Sequence, residues 1–281
     1  MALYTDANDY ALLSSPDLKT WTHLQNLALP GCSECPDFFE IKIEGEKDQT
    51  RWVFTAANGR YLVGAFDGQR FTPQTDLLQV DYGANYYAVQ TYSDAPDGRR
   101  IQLAWMNGGA YPGMPFNQQM SFPCELKLVR TPGGLRLHRT PSPELSKLHD
   151  RRHAWNKMSL PTGTKVLSGP RRGVYHIHQE IDAGSANEFG LVVQGARIAY
   201  NCRDHQITCL DRSAPLELED NRLTLDILVD RTSLELFANA GQVTFTSCFL
   251  PGPEDQELSL FTLAGETQTK TLQVYELKSI W

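Results

Sequence analysis

Asp17-Leu18-Lys19-Thr20-Trp21-Thr22 is followed fifty positions later by Asp67-Gly68-Gln69-Arg70-Phe71-Thr72. Each copy is an acid, three residues, an aromatic and a threonine. Each also follows a strand-like run that begins at a tyrosine, Tyr10 or Tyr61. The run Trp52-Val53-Phe54-Thr55-Ala56 has its own counterpart about fifty residues on, Ile101-Gln102-Leu103-Ala104-Trp105. A period of this size fits four-stranded propeller blades. Chance recurrence of strand–turn–aromatic patterns in a β protein is the competing explanation.

Around the repeat the same texture continues. Helix-period patterns are scarce, and short runs such as "NYYAVQTY", "LTLDILV" and "QVTFTSCFL" are bounded by the turn signals "ANG", "FDGQ", "PDG" and "NAG". The chain reads as all-β. Between about 131 and 170 it becomes turn-rich, with few strong strands, and from Val174 alternation resumes and ends in the hairpin-like "SLELFANAGQVTFTS". Two domains are expected: a propeller-type region over 1–145 and a β-sandwich over 165–281.

The 281 residues carry 41% hydrophobic and 21% charged residues, an ordinary globular balance. A formal charge of −7 argues against nucleic acid, because phosphate neutralisation needs clustered Lys and Arg. No apolar run has the length of a membrane-spanning helix. Met1 opens into Ala-Leu-Tyr-Thr without the features of a signal peptide, so no export signal is expected in the chain as given, and the compartment stays open. Six cysteines are too few for a disulfide scaffold.

Four groups are candidates for chemistry. Cys32 and Cys35 have thiol-pair spacing, but no second pair repeats it, and a redox motif belongs at the start of a helix. Two small half-buried thiols are the better reading. His176 and His178 alternate on one strand face, yet no third metal ligand stands near them in sequence. Glu34, between Pro30-Gly31 and Pro36, is expected to be partly desolvated by Cys35 and Phe38 and to serve as a general acid; a solvated surface charge is the bland alternative. Tyr82, Tyr86, Tyr87 and Trp105, with Asp81 and Asn85, combine rings with polar groups as a sugar site does, although some of these rings must be core.

Five segments in this order resemble the β-fructosidases of glycoside hydrolase family 32, the invertases, levanases and inulinases. They are "YALLSSPDLKTW", "GCSECPDFFEI", "DYGANYYAVQTYSD", "RRIQLAWMNGGAYPGMPFNQQMSFPCELKL" and "RTSLELFANAGQVTFTS". The resemblance implies a five-bladed β-propeller followed by a β-sandwich, and retaining hydrolysis of β-fructosyl bonds in fructans or sucrose, with no cofactor and no metal. It implies that Glu34 is the acid/base, that Asp81, Tyr82, Asn85 and Trp105 line a fructose pocket, and that Phe116 stands near its rim. Asn85 occupies a position where many members carry an acid.

The family's Trp-Met-Asn-Asp-Pro-type segment, which holds the nucleophile, and its Arg-Asp-Pro segment do not occur before Glu34. The "WMN" at 105–107 is followed by Gly-Gly and belongs to a later segment. The expectation is therefore an incomplete propeller whose Glu34 lacks its partner carboxylate, a weakly active or inactive chain, and strand edges that invite self-association. A non-catalytic carbohydrate-binding or assembly module is the alternative from a different class.

Overall fold

The structure is a computed structural model and describes residues 1–170, 173–252 and 257–280. They fall into two compact units. One comprises Met1–Asp81, Tyr86–Asn107 and Gln119–Ser142; the other comprises Tyr82–Asn85, Gly108–Gln118 and Pro143–Trp281.

The first unit contains three antiparallel sheets. The first has the order β1 (Ala2–Asp6), β2 (Asp9–Ser14), β3 (Thr22–Ala28). The second runs β4 (Asp37–Lys42), β5 (Thr50–Thr55), β6 (Arg60–Phe66), β7 (Phe71–Pro73), with the short β8 (Leu78–Gln79) also on β6. The third is built from β9 (Tyr87–Tyr92), β10 (Arg100–Trp105), β11 (Cys124–Thr131) and β12 (Gly134–Pro141).

These sheets give the fifty-residue repeat a physical cause. Asp17 Oδ1 accepts the backbone N–H of Lys19 at 2.9 Å and of Thr20 at 2.8 Å, closing the β2–β3 turn. Asp67 Oδ1 accepts from Gln69 at 2.8 Å and Arg70 at 2.6 Å, closing the β6–β7 turn. Both are Asx-type turns, in which a short acid replaces a backbone acceptor. Tyr10 and Tyr61, each the second residue of the preceding strand, are both buried. The second repeat also holds, because β5 and β10 are each the second strand of their sheet. The aromatic position is less uniform: Phe71 is buried, whereas Trp21 is 37% exposed.

Two apolar clusters bind the sheets of this unit. Tyr10, Phe54 and Phe71 belong to one, with Phe38 packed on it. Phe39, Val63, Val89 and Leu128 belong to the other, where the Leu137 N–H also donates to the Tyr61 hydroxyl at 3.0 Å.

The second unit is dominated by one ten-stranded antiparallel sheet. Its strands are β13 (His149–Val166), β14 (Tyr175–Asp182), β15 (Glu188–Val193), β16 (Ala196–Asn201), β17 (Gln206–Cys209), β18 (Arg212–Pro215), β19 (Arg222–Val229), β20 (Ser233–Ala238), β21 (Val243–Cys248) and β22 (Leu258–Leu277). The long β22 organises it. Residues 258–263 of β22 pair with β15 and residues 268–276 with β14, while β13 follows β22 on its other side. Ala264 and Gly265 mark the changeover, both with positive φ. A Cβ on Gly265 would lie 2.2 Å from the Ser185 carbonyl oxygen, so no larger residue fits. A strand that passes from one partner to another at a local distortion turns a sheet into the corner of a sandwich. Tyr175, Ile177 and Ile181 on β14, with Leu225 and Ile227 on β19, belong to its core.

Residues 149–166, expected to be a turn-rich connection, form an 18-residue strand. Most of its side chains are exposed, so it lacks the alternation that marks a half-buried strand. Hydrogen bonding to β22 holds it in place.

Candidate active site

The loop that carries Glu34 is tied down by backbone and side-chain contacts from neighbouring sheets of the first unit. The Gly31 N–H donates to Asn8 Oδ1 at 2.9 Å, Asn58 Nδ2 donates to the Gly31 carbonyl at 3.0 Å, and the Ala57 N–H donates to the Glu34 carbonyl at 3.2 Å. Glu34 and Cys35 both adopt positive φ, at 56° and 36°. Such conformations are costly for residues with a Cβ and collect where a site demands a particular side-chain direction. Pro36 then leads into β4.

Glu34 is exposed. The expected desolvation by Phe38 does not occur, because Phe38 packs against Trp52 (ring centroids 4.6 Å apart), Phe66 (5.2 Å) and Phe71 (5.3 Å) instead. The contact that matters comes from Tyr87, whose hydroxyl donates to Glu34 Oε2 at 2.5 Å and lies 3.3 Å from Ser33 Oγ. The hydrogen bond to Glu34 is the main cause that raises the Tyr87 pKa, so the phenol keeps its proton and goes on donating.

Tyr87 reaches this place through a bulge. Leu103 pairs with Gln90 and Trp105 with Tyr87, leaving one extra residue on β9. Ala88 within that stretch has a φ of 49°. Bulges of this kind re-aim side chains. Here the Tyr87 and Trp105 rings stand 6.3 Å apart, edge to face at 67°.

Asp81 lies at the end of the short connection from β8. Its carboxylate is fully buried and sits 3.1 Å from the equally buried Arg139 guanidinium. Arg139 in turn lies 4.6 Å over the ring of Tyr86, whose hydroxyl donates to Gln102 Oε1 at 2.5 Å. Tyr86 is thus one of the aromatic residues that belong to the core.

Tyr82, Asn85 and Phe116 belong to the second unit. The 82–85 segment runs along β21: the Tyr82 N–H donates to the Thr244 carbonyl at 2.8 Å, and the Asn85 N–H to that of Thr246 at 3.0 Å. Asn85 Oδ1 accepts from the Cys248 N–H at 2.8 Å. Gly83 permits this approach, since a Cβ there would meet the Thr246 carbonyl oxygen at 2.1 Å. The Tyr82 ring lies 6.1 Å from that of Phe245. Phe116 is 43% exposed, with its ring 5.5 Å from that of Tyr111.

The structure therefore brings Glu34 and Trp105 together around Tyr87, and commits Asp81 to Arg139. Tyr87 was visible in sequence only as one of several strand aromatics. Its pairing with Glu34, 53 positions away, depends on the bulge. Arg139 carried no sequence signal beyond being a basic residue in a strand.

The two cysteines flanking Glu34 are free, Cys32 buried and Cys35 half-buried. Burial raises both thiol pKa values, which makes them poor nucleophiles and ligands at neutral pH. His176 and His178 are not alone. The structure places His149, from the start of β13, with Nε2 2.9 Å from His176 Nδ1. Burial, followed by the neighbouring imidazoles, holds the His149 pKa down at about 4.

The chain belongs to glycoside hydrolase family 32: the family's N-terminal domain matches residues 3–141 and its C-terminal domain residues 144–276. A levanase of Bacillus subtilis (strain 168) is 32% identical over 325 aligned positions, covering 98% of this chain and 48% of the levanase. A levanase of Bacillus sp. (strain L7) is also 32% identical, covering 96% of this chain and 34% of that protein. The crystal structure of an exo-inulinase from Aspergillus awamori superposes with a TM-score of 0.87 at 21% identity, over 98% of this chain and 63% of the inulinase. The fold is thus that of the family, propeller-type sheets followed by a sandwich. The chain spans about half the length, or less, of these two levanases.

Proposed function

We propose that this chain carries the acid/base half of a retaining β-fructosidase site that acts on terminal β-fructosyl bonds of fructans or sucrose. The observation that carries the proposal is the Glu34 carboxylate, held on a strained loop and hydrogen-bonded at 2.5 Å by Tyr87 beside Trp105. The levanase and inulinase names of the relatives support the substrate class.

In this reading Tyr87 occupies Oε2, leaving Oε1 of protonated Glu34 to deliver its proton to the leaving oxygen. The same oxygen then takes a proton from water in the second step. Trp105 offers a ring to the C–H face of the sugar. Tyr82, Asn85 and Phe116 are further proposed sugar contacts. Asp81, given its ion pair with Arg139, is proposed to act by fixing its own stretch of chain rather than by touching sugar.

Retaining hydrolysis needs a second carboxylate about 5–5.5 Å from the first, attacking the anomeric carbon. We place that group outside these 281 residues. Fructose release from levan, inulin and sucrose by the 281-residue chain is therefore expected to stay at background. Release that Glu34→Gln abolishes would overturn this part of the proposal.

A second reading, sugar binding without turnover, is favoured by the Tyr87–Trp105 pair, which needs no second carboxylate to hold a sugar. It requires saturable fructan binding that Trp105→Ala removes. Absence of binding to levan, inulin and sucrose would eliminate it.

A further inference from the structure

We propose that His149, His176 and His178 form a binding site for one divalent transition-metal ion of the zinc class, within the sandwich unit and apart from the Glu34 loop. One ring nitrogen from each of the three histidines lies within 4.8 Å of the others.

The site is assembled by three adjacent strands. His176 and His178 project from the face of β14 opposite Tyr175 and Ile177, which belong to the sandwich core. His149 starts β13, separated from β14 by β22. Its ring crosses that strand by stacking on Tyr275, with centroids 3.9 Å apart and planes 14° from parallel.

Asp226, the direct cross-strand partner of His178, sets the tautomers. His176 Nε2–H donates to Asp226 Oδ1 at 2.7 Å, which leaves His176 Nδ1 as a lone pair turned to His149. His178 Nδ1 lies 3.3 Å from Asp226 Oδ2, which leaves His178 Nε2 as its ligand atom. A carboxylate behind a ligating imidazole is the usual outer partner in zinc sites.

Two nitrogens bound tetrahedrally to zinc at about 2.05 Å stand about 3.3 Å apart. The 2.9 Å between His149 Nε2 and His176 Nδ1 needs a small opening only. Moving the His149 proton from Nε2 to Nδ1, with no net proton gained or lost, turns that hydrogen bond into two facing lone pairs, and both rings must then turn toward a common point to share an ion. Three imidazoles favour zinc, copper or nickel over calcium or magnesium, which take oxygen ligands. His178 is 40% exposed, which gives an ion a route in and leaves room for a fourth, solvent-derived ligand. A bound ion would clasp the start of β13 to β14 across β22.

Equilibrium dialysis of the untagged 281-residue chain against zinc chloride tests the proposal. One zinc per chain is expected, with a rise in the melting temperature that calcium and magnesium do not produce. His149→Gln and His178→Gln should each weaken zinc binding at least tenfold, and Asp226→Asn 10–100-fold. His205→Gln, at an exposed residue paired with Glu217, should leave binding unchanged. Failure to take up stoichiometric zinc, or undiminished uptake by the His149→Gln/His178→Gln double variant, would overturn the site. X-ray absorption at the zinc edge of the unmodified chain supplies a reading that no variant's folding can confuse. Three imidazole ligands support the site, and a shell of oxygen alone refutes it.

Discussion

Glu34 and Asp81 are two carboxylates in opposite circumstances. Glu34 is exposed and accepts a hydrogen bond from the Tyr87 phenol, the setting on which its proposed acid/base role rests. Asp81 is sealed against Arg139 beneath the Tyr86 ring, and that pair is a structural commitment. Removing one partner of a buried pair strands the other charge, at about 3–5 kcal/mol. Arg139→Met is therefore expected to lower the urea midpoint of unfolding by that much stability; a loss below about 1 kcal/mol would mean that the pair is not sealed from water. From the sequence, Glu34 stood out as a candidate through the family resemblance of "GCSECPDFFEI". The role of Asp81 did not stand out, because its partner is 58 positions away and no local pattern joins them.

At the level of elements, the repeated Asp-x-x-x-aromatic-Thr phrase was readable because its cause is local: one side-chain oxygen accepts two N–H groups within three residues. These hydrogen bonds lower the pKa of both Asp17 and Asp67 below the ordinary value of 3.8. A carboxyl with a lowered folded pKa contributes stability above its unfolded pKa and loses it as pH falls through the folded value. The double variant Asp17→Asn/Asp67→Asn should therefore lose less stability than the unmodified chain as pH drops below about 4, as read by thermal melts. Identical acid sensitivity would contradict the turn assignment. What stayed hidden are features with distant causes. β13 is a strand because β22 pairs with it, and His149 joins His176 because Tyr275 supports its ring.

For the molecule as a whole, the family 32 models match through both units, over three blade-like sheets and a sandwich. The all-β class was visible beforehand, since strand alternation and turn chemistry are local properties. The proposed chemistry is that of a retaining site with its acid/base present and its attacking carboxylate supplied from elsewhere. Azide can take the place of that carboxylate: it would attack the anomeric carbon while Glu34 protonates the leaving oxygen, giving a fructosyl azide and the freed alcohol. The decisive measurement is mass-spectrometric detection of fructosyl azide from sucrose or levan oligosaccharides incubated with the 281-residue chain. The expected result is product that depends on both azide and Glu34, absent with Glu34→Gln. Fructose release without azide that Glu34→Gln abolishes would contradict it, and so would azide product undiminished in that variant.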